Sequence, residues 1–393
     1  MIRAPKLKIL LLFIMAFFFM SCQTSPTKSA RSIATETQGG RRVSLAALFR
    51  KPGWEYVTAG ELSKYQNLWA ISDIHGESEK LVKILVKAGL VTPTCQPTKC
   101  QWKSPSSARG QLLIVVGDNI NKGPDSVGVI RLLADLQTQA ASKKGKVILL
   151  LGNHEAEILA NLKGTNKETD ELANNANETR HLDWLGGERK LGTAIKFSEL
   201  RDESRFGRVL REFSVGAVVG TWMFAHSGFI QSPTTLPALT EFIGDVGQKQ
   251  AAGSAAAKRQ NFEESQRQYS KIADERETLA SLISERDWTK KNNPRGSMKE
   301  KLDLLGLDAL FVGHDPGALN DQGRIAIYDG WLTKLDAGMN NEMSYSDGRI
   351  LKCPIPSGGS LRLMKDAKES HCKQVAPESR TVGGEVLIPL VDE

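Results

Sequence analysis

Short apolar runs alternate with stretches of helical periodicity from Trp69 onward, which is the pattern of an α/β core. The apolar runs predict strands at Leu68–Ser72, Leu112–Gly117, Val147–Gly152, Val215–Ala225, Ala309–Gly313, Arg324–Tyr328 and Leu332–Leu335. Apolar residues at helical spacing predict helices over Glu77–Gly89 and Ser126–Gln137.

Two polar stretches with helical propensity interrupt this alternation, at about 155–210 and 245–295. The second has charged residues every four positions, namely Arg259, Glu263, Arg267 and Lys271. This spacing is typical of a solvated helical face, and a partner-binding helix is the alternative. Residues 341–393 hold two strand-like runs, Ile350–Pro354 and Leu361–Lys365, and are predicted to form an appended hairpin at the periphery.

The N-terminus predicts export. Residues 1–21 have a basic start and an apolar run over Ile9–Met20, which is typical of a secretory signal and short for a membrane span. The end of this run, with Cys22, resembles a bacterial lipobox, so Cys22 is the predicted lipidation site; an uncleaved anchor is the alternative. Residues 22–60 are predicted to be a flexible linker. We therefore expect a lipid-anchored protein of the bacterial cell envelope, on the periplasmic or outer-membrane side.

Composition and charge exclude several classes. Hydrophobic residues at 40% and charged residues at 25% of 393 residues exclude a wholly disordered, collagen-like or coiled-coil chain. The net charge of +7 suggests nucleic-acid binding, but three of these charges, Arg3, Lys6 and Lys8, lie in the predicted signal, and 7 − 3 leaves +4. No basic run with interleaved aromatic residues occurs elsewhere, so we expect no nucleic-acid partner.

Four cysteines remain beside Cys22, and an even number in an oxidising compartment predicts disulfides. Among three possible connectivities we favour the local pairs, Cys95–Cys100 and Cys353–Cys372. A zinc site is the alternative, although no closely spaced cysteine pair supports it.

Metal-binding side chains follow five of the predicted strands. The candidates are Asp73, His75, Asp118, Asn153, His154, His226 and His314. Because ligands of open α/β sheets bind at the carboxyl ends of the strands, these side chains are predicted to converge. Imidazole, carboxylate and amide oxygen together suit manganese, iron, zinc or nickel, and a shared carboxylate permits two ions at one site.

These motifs resemble, in order and spacing, those of the calcineurin-like metallophosphoesterases. The matching segments are Ser72–Gly76, Gly117–Asp118 with Asn121–Pro124, Gly152–Glu155, His226–Gly228 and Gly313–His314. Within that family the chain resembles the phosphoprotein-phosphatase branch, which includes Shewanella-like phosphatases and symmetrical diadenosine-tetraphosphatase-like enzymes. The resemblance implies a four-layer α-β-β-α sandwich of two mixed sheets flanked by helices, here over residues 61–340.

The resemblance also implies roles for individual residues. One divalent ion would be held by Asp73, His75 and Asp118, and a second by Asp118, Asn153, His226 and His314. His154 would be the general acid that protonates the leaving oxygen, after attack by a metal-bound hydroxide. The implied cofactors are two divalent transition-metal ions (Mn, Fe, Zn or Ni), with Mn expected in assays.

Two residues depart from the family pattern. Asn121 stands where an aspartate usually orients the acid histidine, and Lys122 stands where an arginine usually grips phosphate. Lysine keeps the charge but loses the bidentate fork. Arg295, in an Arg-Gly loop that resembles one in the family, is the second candidate for phosphate binding.

The sequence therefore predicts a metal-dependent phosphatase acting on phosphomonoesters, either phosphoproteins or small phosphorylated molecules. Within the same fold the alternatives are a dinucleoside polyphosphate hydrolase and a phosphodiesterase. Asp315 and Pro316 after His314 replace the second histidine typical of diesterases, which favours monoesters. A catalytically weak surface binding module is the alternative from another class, and the oligomeric state is open.

Overall fold

The computed structural model of the protein describes residues 44–161, 167–186, 194–228, 233–274, 276–289, 295–320, 322–340, 345–359, 361, 372–377, 385–386 and 390–391. The predicted signal, Cys22 and the second strand-like run of the tail, apart from Leu361, lie outside the described residues. Within the described part of the chain, no helix is both long and apolar enough to cross a membrane.

Two mixed β-sheets form the centre of the fold. The strands are β1 Trp54–Val57, β2 Tyr65–Ile71, β3 Gly110–Val116, β4 Lys146–Leu150, β5 Gly216–Val219, β6 Trp222–Phe224, β7 Ala309–Val312, β8 Ala326–Tyr328, β9 Leu332–Lys334, β10 Ile350–Pro354, β11 Lys373–Val375, β12 Glu385–Val386 and β13 Leu390–Val391. One sheet has the order β1-β5-β6-β7-β9-β8-β13, and the other has the order β12-β11-β10-β2-β3-β4.

The alternation of side chains along the strands builds the layers. In β3, Leu112 and Ile114 belong to an apolar cluster that includes Phe224 and Phe311 of the other sheet. Leu113 belongs instead to the larger cluster formed with the helices. Because successive residues of a strand point to opposite faces, each sheet packs against the other on one side and against helices on the other. The predicted four-layer sandwich is confirmed.

Thirteen α-helices cover the sheets in the described residues. They are α1 Leu45–Phe49, α2 Ala59–Leu62, α3 Ser78–Lys87, α4 Ser126–Ser142, α5 Asn153–Ala160, α6 Lys167–Ala176, α7 Thr179–Leu185, α8 Phe197–Asp202, α9 Arg205–Leu210, α10 Leu236–Lys258, α11 Phe262–Ala273, α12 Ser281–Ser284 and α13 Arg295–Leu305. Asp125 caps α4 by accepting the Gly128 N–H, which explains why the helix starts at Ser126.

The first polar stretch is helical, as predicted, and contains α5 to α9. The second begins earlier than predicted, because α10 already starts at Leu236. The run of charges at four-residue spacing is not one helical face. Arg259 is the C-terminal cap of α10, whereas Glu263, Arg267 and Lys271 lie on α11.

One predicted strand is wrong in outline. The run Val215–Ala225 is not continuous but forms the antiparallel pair β5 and β6. Gly220 makes the turn between them with a φ of 63°, a conformation that glycine adopts without steric cost.

The predicted flexible linker, residues 22–60, extends too far along the chain. Its last part, from Leu45, contains α1, β1 and the start of α2. Leu48 and Phe49 are buried, and β1 pairs in parallel with β5. These apolar side chains bury enough surface to offset the entropy of ordering, so this part of the linker belongs to the domain.

The described tail is also not peripheral. β10 pairs with β2 and β11, so the tail extends the six-stranded sheet, and β13 pairs with β8 at the edge of the other sheet.

The two local cysteine pairs are bonded, Cys95 with Cys100 and Cys353 with Cys372. The second disulfide joins β10 to the segment that leads into β11.

Candidate metal centre

The candidate ligands lie where strands end. Asp73 follows β2 and Asp118 follows β3, while Asn153 follows β4 and begins α5. In the other sheet, His226 follows β6 and His314 follows β7. Each of these five strands runs parallel to a neighbour within its sheet, so the carboxyl ends meet at one edge of each sheet.

The backbone at these ends is unusual. Six site residues other than glycine have φ in the left-handed region: Asp73 (55°), His75 (48°), Asp118 (51°), Asn121 (67°), Lys122 (62°) and His314 (73°). Such conformations are costly for residues with a side chain and concentrate at functional sites. They turn the chain sharply after each strand and bring the polar side chains together.

Asp118 stands at the middle of the cluster. Its Oδ2 lies 3.2 Å from His226 Nε2, 3.8 Å from His75 Nε2 and 3.9 Å from His154 Nε2. Two sets of side chains have ligand atoms close enough to hold a metal ion, His75 with Asp118 and His154, and Asp118 with His226 and His314. Asp118 is common to both sets.

Asp73 lies beside these sets. Its Oδ1 is 3.8 Å from His75 Nε2, and its two oxygens accept the backbone N–H of His314 at 3.1 and 3.0 Å. A Cβ at Gly313 would lie 2.2 Å from Asp73 Oδ2, so only glycine permits this approach. These hydrogen bonds of Asp73 connect the end of β2 to the end of β7.

The donor atoms fit divalent metal ions. His75 Nδ1 and His226 Nδ1 lie 3.1 and 2.8 Å from the carbonyl oxygens of Ile120 and Val116, which turns the Nε2 of each ring toward Asp118. Asn153 Oδ1 is buried and makes no hydrogen bond among the described residues. Buried polar atoms are normally satisfied, and a metal ion would satisfy this one.

The charges of the cluster favour a bound cation. Burial would raise the pKa of Asp118, but the surrounding imidazoles hold it well below its usual range. Burial lowers the pKa of His75 to about 3, so this ring is neutral and able to ligate. For His226 burial is outweighed by the carboxylates of Asp118 and Asp73, which raise its pKa to about 10. A metal ion would supply the positive charge that these carboxylates otherwise draw from a proton.

Two cationic side chains reach the histidines. Lys122 Nζ lies 3.3 Å from His75 Nε2, and Arg286 Nε lies 2.7 Å from His314 Nε2. Arg295, the predicted arginine, instead stacks its guanidinium over the ring of Tyr328, 4.1 Å from the ring centre. Arg286 was not singled out from the sequence. It lies between two short helical segments without periodic pattern, and only the tertiary fold brings it to His314.

The amide of Asn121 orients His154. Asn121 Nδ2 lies 3.0 Å from His154 Nδ1 and 3.5 Å from Glu168 Oε2. An amide nitrogen only donates, so His154 Nδ1 accepts and the proton of the neutral ring lies on Nε2. Glu168, on α6, is a second site residue that no motif of the sequence indicates.

The predicted ligands, His154, Asn121 and Lys122 therefore lie together, and the fold and site define a domain of the metal-dependent phosphoester hydrolases. Residues 67–240 match the family of calcineurin-like phosphoesterases. The chain carries a calcineurin-like metallophosphoesterase domain, and the predicted family is confirmed.

Relatives and solved structures agree with this family. A Bacillus subtilis bis(5'-nucleosyl)-tetraphosphatase of the asymmetrical type is 28% identical over 159 residues, 40% of this chain and 56% of that protein. Serine/threonine-protein phosphatase 2 of Escherichia coli is 35% identical over 95 residues, 24% of this chain and 32% of that protein. The chain thus spans about a third to just over half the length of these two relatives.

The fold itself matches a crystal structure of a cold-active protein-tyrosine phosphatase from a psychrophilic Shewanella. The TM-score is 0.55 over 91% of this chain and 90% of that chain, at 14% identity. At this identity the likeness establishes the fold alone.

Proposed function

We propose that the protein is a two-metal phosphatase that hydrolyses phosphomonoesters. The observation that carries the proposal is the position of Asp118 close to both His75 and His226, with Lys122 beside His75 and Arg286 beside His314. A phosphoryl group needs positive charge around its oxygens, and metal ions with two flanking cations would provide it.

We assign the ligand sets as the family resemblance implies them. One ion would be held by Asp73, His75 and Asp118. The other would be held by Asp118, Asn153, His226 and His314. Two bound divalent ions would polarise the phosphoryl oxygens and lower the pKa of a coordinated water.

His154 would act as the general acid. Because its Nδ1 accepts from Asn121, its proton lies on Nε2, the atom that is 3.9 Å from Asp118 Oδ2 and so faces the centre. A leaving alkoxide there would accept a hydrogen bond from this Nε2–H, and the protonated ring would give it the proton, because a neutral imidazole is too weak an acid to do so. Lys122 and Arg286 would hold the remaining phosphate oxygens, with Arg286 offering a planar fork and Lys122 a point charge.

Metal content and turnover of an aryl phosphate test the proposal together. The purified domain should contain close to two transition-metal ions per chain, and manganese should support hydrolysis of p-nitrophenyl phosphate. Asp118→Asn should abolish turnover, because both ligand sets lose the shared carboxylate, whereas Asp303→Asn, an exposed change on α13, should not. A metal-free protein that stays inactive with manganese would favour the surface binding module instead.

A dinucleoside polyphosphate hydrolase is the second candidate. The Asn121–Pro124 segment differs from the Asp-Arg-Gly pattern of serine/threonine phosphatases, and a relative named as a bis(5'-nucleosyl)-tetraphosphatase shares 28% of its residues over the matched region. A manganese-supplemented panel of phosphopeptides, nucleoside phosphates and dinucleoside polyphosphates separates the two candidates by their kcat/KM.

We also propose that the protein is exported and lipid-anchored through Cys22, on the basis of the apolar run Ile9–Met20 and the lipobox-like end. In a bacterial host, the protein should incorporate labelled palmitate and fractionate with membranes. Cys22→Ser should remove both properties, and label retained by that variant would contradict the proposal.

A further inference from the structure

A cavity of about 440 Å³ lies beside the metal centre, between α6 and the loop Asn121–Pro124. Its loop side includes Asn121 and Lys122, the residues that contact His154 and His75. Its helix side includes Glu168 and Glu171. Since His154 is the proposed donor to the leaving oxygen, this cavity lies on the side on which a leaving group would emerge.

The cavity wall is acidic. The described residues that line it supply three carboxylates, those of Glu168, Glu171 and Glu178, and one ammonium group, that of Lys122. Lys122 points its Nζ at His75, toward the proposed phosphate position. Glu171 also meets Lys167, and Glu178 also meets Arg180, in pairs that are largely exposed to solvent. Such exposed pairs bind weakly, so they leave the wall able to attract a cation.

A buried acceptor in the same wall lacks a partner. The Asn121 side chain is 5% exposed, and its Oδ1 makes no hydrogen bond among the described residues. The amide is oriented with its NH₂ group toward His154 Nδ1 and Glu168 Oε2. A buried acceptor is normally satisfied, so a ligand N–H group that reached Oδ1 would be stabilised.

The described part of the wall does not suit a nucleobase. None of the described residues that line the cavity is aromatic or an arginine, so these residues offer no surface on which a base would stack. Leu172 and Pro124 are its main apolar contributions.

We propose that this cavity binds the leaving group of the substrate and selects leaving groups that carry a protonated amine. The inference rests on the phosphatase function proposed above. In the reaction the P–O bond to the leaving oxygen breaks, a water oxygen forms the new P–O bond, and the alcohol leaves with its amine unchanged. The phosphate lies toward Lys122 and Arg286, and the ammonium group lies toward Glu168, Glu171 and Asn121 Oδ1.

A matched pair of aryl phosphates tests the selection. With manganese present, 4-(2-aminoethyl)phenyl phosphate should have a kcat/KM roughly tenfold above that of 4-ethylphenyl phosphate, as expected for one charge-assisted hydrogen bond. In the double variant Glu168→Gln/Glu171→Gln the ratio of the two values should fall toward one. Because both esters are measured with the same variant, an effect of the Glu168 substitution on His154 cancels in the ratio. Glu263→Gln, an exposed change on α11, should leave the ratio as it is.

Binding of the amine product gives a readout without turnover. By titration calorimetry, tyramine should bind the wild-type protein more tightly than 4-ethylphenol does, and the double variant should lose this difference. Hydrolysis of both esters with a ratio of one would overturn the inference and leave the phosphatase function intact. Failure to hydrolyse either ester would count against the phosphatase function, and equal binding of the two phenols would overturn the inference in that case also.

Discussion

The carboxylate of Glu155 accepts the backbone N–H of Asp118 at 3.0 Å. The same carboxylate accepts the N–H groups of Asn119 at 2.6 Å and Gly152 at 2.8 Å. Glu155 is fully buried, and burial together with the charge of Asp118 raises its pKa to about 7. It joins the ends of β3 and β4 and so holds the proposed bridging ligand in its left-handed conformation.

Glu155→Gln should therefore destabilise the protein and weaken metal binding. An amide retains one acceptor oxygen, so at least one buried N–H group loses its partner, at a cost of about 1–3 kcal/mol. Urea denaturation of the metal-free protein should give a lower free energy of unfolding, and calorimetric manganese titration a higher Kd. Glu300→Gln, an exposed change on α13, should alter neither quantity. Unchanged manganese affinity would show that Glu155 does not position Asp118.

We make opposite predictions for Arg286 and Arg295, which both lie near the end of the second polar stretch. Arg286→Ala should lower kcat/KM for p-nitrophenyl phosphate by about 10- to 100-fold, corresponding to roughly 1.4–2.7 kcal/mol of lost transition-state stabilisation, because a charged contact to the phosphate is removed. Arg295→Ala should leave kcat/KM within about twofold and lower the stability by about 0.5–1 kcal/mol, since its contact is with the Tyr328 ring. The reverse result would restore Arg295 as the phosphate-binding residue.

The strand ends of the site could be predicted from sequence because both signals are local. An apolar run such as Leu112–Gly117 marks a buried strand, and the polar residue directly after it, Asp118, must lie at the sheet edge. The convergence of several such residues then follows from the parallel arrangement of the strands.

Contacts between distant segments could not be predicted in this way. β10 pairs with β2, and nothing local in Ile350–Pro354 distinguishes an inner strand of the sheet from an appended hairpin. Arg286 reaches His314 through the packing of the second polar stretch, whereas Arg295 was favoured only by its Arg-Gly neighbourhood. The end of the flexible linker, by contrast, is visible in the sequence, because Leu45, Leu48 and Phe49 have helical spacing.

Asp125 should contribute a stability that depends on pH. It accepts hydrogen bonds from Ser78 Oγ at 2.6 Å and Gly128 N at 2.9 Å, and His181 Nε2 lies 2.9 Å away. Burial alone would raise the pKa of Asp125, but the hydrogen bonds from His181 and Ser78 lower it to about 2, against the ordinary aspartate value of 3.8. A depressed carboxyl pKa stabilises the fold above the unfolded value, and this contribution is lost as the pH falls toward the folded one.

Asp125→Ala should accordingly lower the free energy of unfolding at pH 7 by about 1–2 kcal/mol, since a helix cap is lost as well. Between pH 5 and pH 3 the difference from the wild type should begin to shrink. Thermal unfolding over this range measures it, with Asp303→Ala as the exposed control. A difference that stays constant down to pH 3 would mean that the charge of Asp125 contributes little.

The role of His154 should depend on the leaving group. If it donates a proton to the leaving oxygen, His154→Ala should slow hydrolysis of phenyl phosphate by about 10²- to 10⁴-fold. The loss should be smaller for p-nitrophenyl phosphate, whose leaving group needs little protonation. Metal content should remain close to that of the wild type. His154 also lies in a possible ligand set with His75 and Asp118, so loss of one metal ion in this variant would identify it as a ligand instead.

Asn121→Asp should shift the pH dependence of turnover upward. The new carboxylate would lie beside His154 Nδ1, where Asn121 Nδ2 is now 3.0 Å away, and would accept a hydrogen bond from the ring N–H and stabilise the charged form of the ring. Burial now lowers the pKa of His154, and a neighbouring negative charge opposes that shift. The limb of the pH profile that reflects the ionisation of His154 should therefore move to higher pH. Gln248→Glu, an exposed change on α10, should not move it. Glu168 lies 3.5 Å from Asn121, and its negative charge should repel the new carboxylate and lower the stability of Asn121→Asp. Adding Glu168→Gln should restore this stability and keep the shifted pH profile.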